Sequence, residues 1–131
     1  MRYLVTARIK PGKEKPLLRS VENGSLGRGS FAYGEYIRNM KQARQMQNRD
    51  VRWVEVCYCP TPLMEEIPYW EEYFELTDIR DAHGRHNCKD LNGEEPWACS
   101  DCDCTQKLET KLETEGTRFF DDLKQEVPAA H

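Results

Sequence analysis

Between Asp81 and Cys104 the chain reads DAHGRHNCKDLNGEEPWACSDCDC, gathering His83, His86, Cys88, Cys99, Cys102 and Cys104 into one short stretch. No other stretch restricts the fold as much. Thiolate sulfur and imidazole nitrogen are the ligands a borderline-soft ion such as Zn²⁺ prefers, and C-x₂-C and H-x₂-H spacings let neighbouring side chains share one ion. The stretch therefore reads as a metal knot. Cys99 and Cys102 have the two-residue gap that lets backbone amides of a turn point at sulfur, and Cys104 adds a third thiol. His83 and His86 lie about one helical turn apart, and Cys88 is the natural next member. The span from Cys88 to Cys99, holding Asn92-Gly93 and Pro96, has the length that commonly separates two ligand pairs in small zinc modules.

The chain holds six cysteines, an even number that also admits disulfides. Location decides between the two readings. No apolar run approaches the ~20 residues of a bilayer span, and the opening MRYLVTARIKPGK turns after a handful of apolar residues without a small-residue cleavage site. The expected location is the cytoplasm, where reducing conditions favour metal binding or redox work over structural disulfides. A net charge of -4 and a sequence pI near 5.4 make a phosphate backbone an unfavourable partner. Neither nucleic acid nor a membrane is expected.

Arg2 to Ile9 alternates, with Tyr3, Val5, Ala7 and Ile9 on one face, and predicts a strand. Lys10-Pro11-Gly12 turns the chain into a helix carrying Leu17, Leu18 and Val21, stopped at Asn23-Gly24. The connector NGSLGRGS follows a helix instead of preceding one, so it reads as a flexible link and not as a phosphate cradle. From Phe31 to Gln47, Tyr33, Tyr36, Ile37, Met40 and Ala43 fall at helical spacing, although the second half fits a strand paired across Asn48-Arg49-Asp50 equally well. Val51 to Cys59, VRWVEVCYC, is the clearest strand. Val51, Trp53, Glu55, Cys57 and Cys59 share one face, and both faces are apolar enough for a central position.

Thr61-Pro62 then opens a helix with Leu63, Ile67, Trp70 and Phe74 at i, i+4, i+7 and i+11, either kinked at Pro68 or begun afresh there. A last strand covers about Phe74 to Arg80. Beyond the knot, Asp103 and Gln106 form a capping-box pattern for a helix with Leu108 and Leu112, ended by Gly116. Phe119, Phe120, Leu123 and Val127 make a final apolar patch that must cover the core or a partner subunit.

This order gives an α+β fold, helices on one face of a mostly antiparallel sheet, in residues 1–80. Residues 81–131 then form a Cys/His metal-binding extension and a helical tail. The opening YLVTARIKPGKEKPLL, the segment RWVEVCYC and the stretch PYWEEYFE resemble the ferredoxin-like proteins of the dimeric α/β-barrel superfamily. The resemblance covers residues 1–80, rests on element order and a Lys-Pro-Gly turn, and implies a homodimer whose sheets meet, with a small ligand cleft between sheet and helices. That superfamily includes monooxygenases, isomerases and non-catalytic proteins. The Cys/His extension departs from its pattern, so no catalytic residue carries over.

With Cys57 and Cys59 the ligand set reaches eight: His83, His86, Cys88, Cys99, Cys102, Cys104, Cys57 and Cys59, enough for two tetrahedral zinc ions, whereas one ion needs four. Cys57 and Cys59 sit about 6.6 Å apart along one strand face and can share an ion, but equally serve as small buried hydrophobes. Glu65, Glu66, Glu71, Glu72 and Glu75 read as a solvated acidic face. Arg28, Arg38, Lys41, Arg44, Arg49 and Arg52 make a basic patch that suits a small anionic ligand or the acidic helix of a second copy.

Filled Cys-rich coordination leaves no open position for water, so the favoured expectation is a dimeric binding or accessory module with structural zinc. The alternatives are a metal-assisted enzyme working near His83 and His86, a small-molecule enzyme using a sheet cleft with Glu55 and Arg52, and a thiol- or metal-handling protein. No nucleophile and base stand together in the sequence.

Overall fold

The computed structural model describes residues 2–57, 60–83 and 104–127. Its elements run β1 (Arg2–Ile9), α1 (Glu14–Glu22), α2 (Glu35–Gln42), β2 (Arg44–Gln45), β3 (Val51–Val56), α3 (Ile67–Trp70), β4 (Phe74–His83), α4 (Cys104–Leu112), β5 (Thr117–Arg118) and α5 (Phe119–Glu126). The strands form one antiparallel sheet in the order β4-β1-β3-β2-β5. The chain is α+β as its patterning predicts, and VRWVEV holds the middle of the sheet.

Alternation dictates which side of the sheet becomes interior. Tyr3, Val5 and Ala7 of β1 lie opposite Glu55, Trp53 and Val51 of β3, and the apolar members of this set enter one buried cluster with residues from α1, α2, α3 and α5. Val54 leaves β3 from the other face. There α4 packs on β3 and buries Leu112 apart from the main cluster.

α1 forms where its apolar spacing places it, burying Leu17, Leu18 and Val21, and ends as Gly24 takes a φ of 76° with its N–H directed to the Val21 carbonyl. The glycine-rich link that follows is packed, not loose. Leu26 is fully buried, and the amides of Ser25 and Leu26 both donate to the Ser20 carbonyl. Gly27 (φ 75°) lies flat against the Tyr36 ring, where a Cβ would overlap the ring carbons. The ambiguous stretch after it divides: α2 takes the first half, and Arg44–Gln45 becomes the strand that the pairing across Asn48-Arg49-Asp50 predicts.

Between Leu63 and Phe74 the helical spacing over-reads the chain. Pro68 has no N–H to donate and is tolerated only in a first turn, so the helix starts afresh and spans just Ile67–Trp70. Leu63 precedes it at a φ of 57°, and Phe74 follows as the first residue of β4. Leu63, Trp70 and Phe74 are nonetheless fully buried. The spacing reported a common burial direction instead of a continuous helix.

The final apolar patch covers the chain's own core. Phe119 and Leu123 of α5 are buried in the main cluster, and the Phe119 amide donates to the Ala43 carbonyl, beside the β2–β5 pairing. Four residues of the basic patch fix this arm in place: Arg38 pairs with Glu109, Arg52 with Glu115 and Arg49 with Glu126, while Arg44 donates to the carbonyls of Glu115 and Gly116. The pairs of Arg49 and Arg52 lie at the surface, where such pairs contribute about 0–1 kcal/mol each, and Arg38 meets a buried Glu109, whereas burying a Phe or Leu side chain contributes about 1.5–3 kcal/mol. Apolar burial therefore holds the arm and the arginines set its register.

Gly27→Ala is expected to destabilise the protein by roughly 2–4 kcal/mol, combining backbone strain with displacement of Tyr36. Gly12→Ala, at a φ of 80° with open space around it, should lose only about 1 kcal/mol. Urea unfolding of both variants checks this, and equal losses would contradict the packed link.

Candidate functional site

The core face of β3 carries one charged residue. Glu55 stands two positions from both Trp53 and Cys57, so all three point into the interior, and Glu55 is only 2% exposed. A carboxylate taken out of water needs donors, and two indoles supply them. Trp53 Nε1 donates to Oε1 at 2.8 Å, and Trp70 Nε1 reaches Oε1 at 2.9 Å and Oε2 at 3.1 Å. Trp70 arrives from α3, so the carboxyl ties that single turn of helix to the central strand.

Around this contact the rings stack into a continuous column. Trp53 and Trp70 lie 4.6 Å apart between centroids, Tyr36 and Trp70 4.9 Å, and Trp53 and Phe74 5.3 Å, all tilted. Phe74 extends the column to Phe119 of α5 at 6.0 Å. On the other side the Tyr36 hydroxyl donates to Ser30 Oγ at 2.8 Å, and Ser30 donates to Glu65 Oε1. The Cys57 thiol meets Glu66 Oε2 at 3.4 Å, and both residues are buried.

Burial pushes the Glu55 carboxyl up from its ordinary 4.5 to about 7. The two indole hydrogen bonds pull the other way, and the Glu66 and Glu35 carboxylates add to the rise. Burial likewise raises the Tyr36 phenol, against the hydrogen bond to Ser30 and with Glu65, Glu55 and Glu66 adding to the effect. The group is thus a water-excluded acid that keeps its proton well above the usual carboxylate range and exchanges it near neutrality. Arg52, the other residue proposed for a sheet cleft, leaves β3 from the opposite face and pairs with Glu115. A separate open hollow of about 680 Å³ lies at the hairpin end, lined by Gln45, Gln47, Asn48 and Thr117 together with Asp50 and Arg52. Asp50 there accepts from Arg8 and Asn48, so its charge is already compensated.

Of the eight metal candidates, Cys57 lies buried in the core. His83 ends β4 and Cys104 opens α4, while Cys59, His86, Cys88, Cys99 and Cys102 lie outside the described residues. Strand register relates two of these positions. Arg2 of β1 is opposite Val56 on one side and His83 on the other, so β3 runs out toward Cys57 and β4 ends at His83 at the same end of the sheet. Two interstrand spacings amount to about 10 Å. Among the described residues no three His, Cys, Asp or Glu side chains converge on one point. Nor is any helix among them long and apolar enough to cross a membrane.

The Glu55 contact was readable only in part. A glutamate on the core face of VRWVEVCYC is the signal for a buried acid, but its partner Trp70 is fifteen residues away on a helix whose extent the spacing misjudged. No protein-family model, curated protein or solved structure matches this chain. Its function is therefore argued from its own residues.

Because the folded protein holds the Glu55 proton while the unfolded chain releases it above about 4.5, the stability contributed by the neutral acid is full below that pH. It is lost progressively as pH rises to about 7. A displacement of that size corresponds to about 3 kcal/mol as an order of magnitude. Glu55→Gln, which keeps an acceptor for the indoles, should flatten the stability profile between pH 5 and pH 8 and be the more stable protein at pH 8. Parallel profiles for the two proteins in denaturant melts would contradict this assignment.

Proposed function

We propose that this chain is a zinc-stapled binding or accessory module on a ferredoxin-like core, working in the reducing cytoplasm. The ferredoxin-like reading draws on the β-α-β-β-α-β succession formed by β1, α1, β2, β3, α3 and β4 and on their order β4-β1-β3-β2, with α2 and the C-terminal arm as additions. The observation that carries the metal reading is the ligand density between two fixed points. Six thiol and imidazole groups fall between the end of β4 and the first turn of α4, beginning at the sheet end where β3 delivers Cys57.

An ion bound there joins the sheet to the arm formed by α4, β5 and α5. Its coordination energy then adds to the folding free energy. Thiolates of Cys88, Cys99, Cys102 and Cys104 with the imidazoles of His83 and His86 offer more than the four ligands of one closed tetrahedral site. Cys57 stands apart. Ionising its thiol beside the Glu66 carboxylate brings two anions together in a buried place, so it joins the ligand set only where a cation compensates both. Glu55 supports an accessory role over a catalytic one, because its carboxyl is buried and its oxygens accept from two indoles, which serves the packing of α3.

Cys57 is buried in the core, so its masking does not report on metal, whereas thiols that a chelator unmasks do. Protein purified under reducing conditions without added metal should contain one or two zinc ions per chain. Titration of the native protein should leave at least three further thiols unreactive, and a chelator should release them while Cys57 stays masked until denaturation. Metal-free protein whose other five thiols react freely would overturn the proposal.

A further inference from the structure

β4 forms one edge of the sheet. β1 covers its inner side, and among the described residues no strand lies on its outer side. A ten-residue edge is a template for strand pairing, and proteins restrict such edges with charges and bulges. β4 has both. Its register against β1 shifts near Thr77 and again near Ala82, leaving Asp78 to Asp81 as the regular run, and Glu75, Asp78 and Arg80 are exposed. Rather than closing the edge entirely, these features leave one register open.

From this pattern we propose that two copies of the chain pair antiparallel through β4, with the twofold axis at Ile79, joining their sheets into one. Symmetric antiparallel pairing requires the axis to pass between a residue and its own copy, and the regular run allows only the central positions 79 and 80. An axis at Arg80 opposes two like charges and sets Ile79 against Asp81 of the second copy. At Ile79 the axis instead places Asp78 opposite Arg80 twice over, with the two Ile79 side chains facing each other at the centre.

Directly opposed unlike charges stabilise a strand pair and like charges destabilise it, so charge selects Ile79. Asp78 and Arg80 already approach within 3.4 Å along the strand, half to three-quarters exposed, and can exchange that contact for crossed pairs. Ile79 is half-buried at the rim of the core, and the pairing covers its remaining apolar surface. The inference concerns the sheet edge and is independent of the zinc reading. A run this short between bulges makes a small interface, hence a dimer that dissociates on dilution.

Sedimentation equilibrium of the full chain over a concentration series, with and without chelator, is the test. The wild type should show a monomer–dimer equilibrium that the chelator leaves unchanged. Asp78→Arg and Arg80→Asp should each weaken it about tenfold or more while keeping the wild-type melting temperature, and the double exchange should restore it. A monomer at every concentration would overturn the proposal. So would a dimer indifferent to both single variants, a double exchange that fails to restore pairing, or a dimer lost with the metal.

Discussion

A carboxyl group buried between two indoles organises the interior of this protein. Glu55 cannot reach water, and Trp53 and Trp70 satisfy it from the strand that bears it and from the short helix opposite. Without that acceptor two indole N–H groups would be orphaned in a packed core, at about 1–3 kcal/mol for each group left unsatisfied. The contact gives α3 its place: a single turn of helix with no side-chain cap has little stability of its own and draws it from tertiary contacts. Through Trp70 the same contact sets the column from Tyr36 to Phe119, and so the seating of α5.

A second dependence follows from the first. The arm of α4, β5 and α5 reaches the core through Phe119 and Leu123, while Arg38, Arg49 and Arg52 fix where its acidic residues lie. The surface pairs of Arg49 and Arg52 are screened by salt and weak, so they steer the arm more than they hold it.

Periodicity made the regular parts of the chain legible. The alternation in RYLVTARI and VRWVEV and the spacing of Leu17, Leu18 and Val21 named β1, the core of β3 and α1 together with their inward faces. It failed where burial and backbone conformation separate. Leu63, Trp70 and Phe74 all face inward, yet they belong to a left-handed turn, a helix and a strand. Long-range pairing was equally out of reach: a basic cluster is visible in sequence, but nothing local says that Arg38, Arg49 and Arg52 meet acids sixty or more residues later. The buried acid was half legible, because its position on the core face is a local fact and its donor from α3 is not.

The measurement that bears most directly on this account is the NMR titration of the indole N–H resonances. If Glu55 accepts from both Trp53 and Trp70, their two Nε1–H signals should shift together between pH 5 and pH 9 with one midpoint near 7, as the shared carboxyl loses its proton. Both signals should also exchange slowly with solvent. Indole signals that stay fixed across that range, or that move with unrelated midpoints, would contradict a shared buried acid at the centre of the fold.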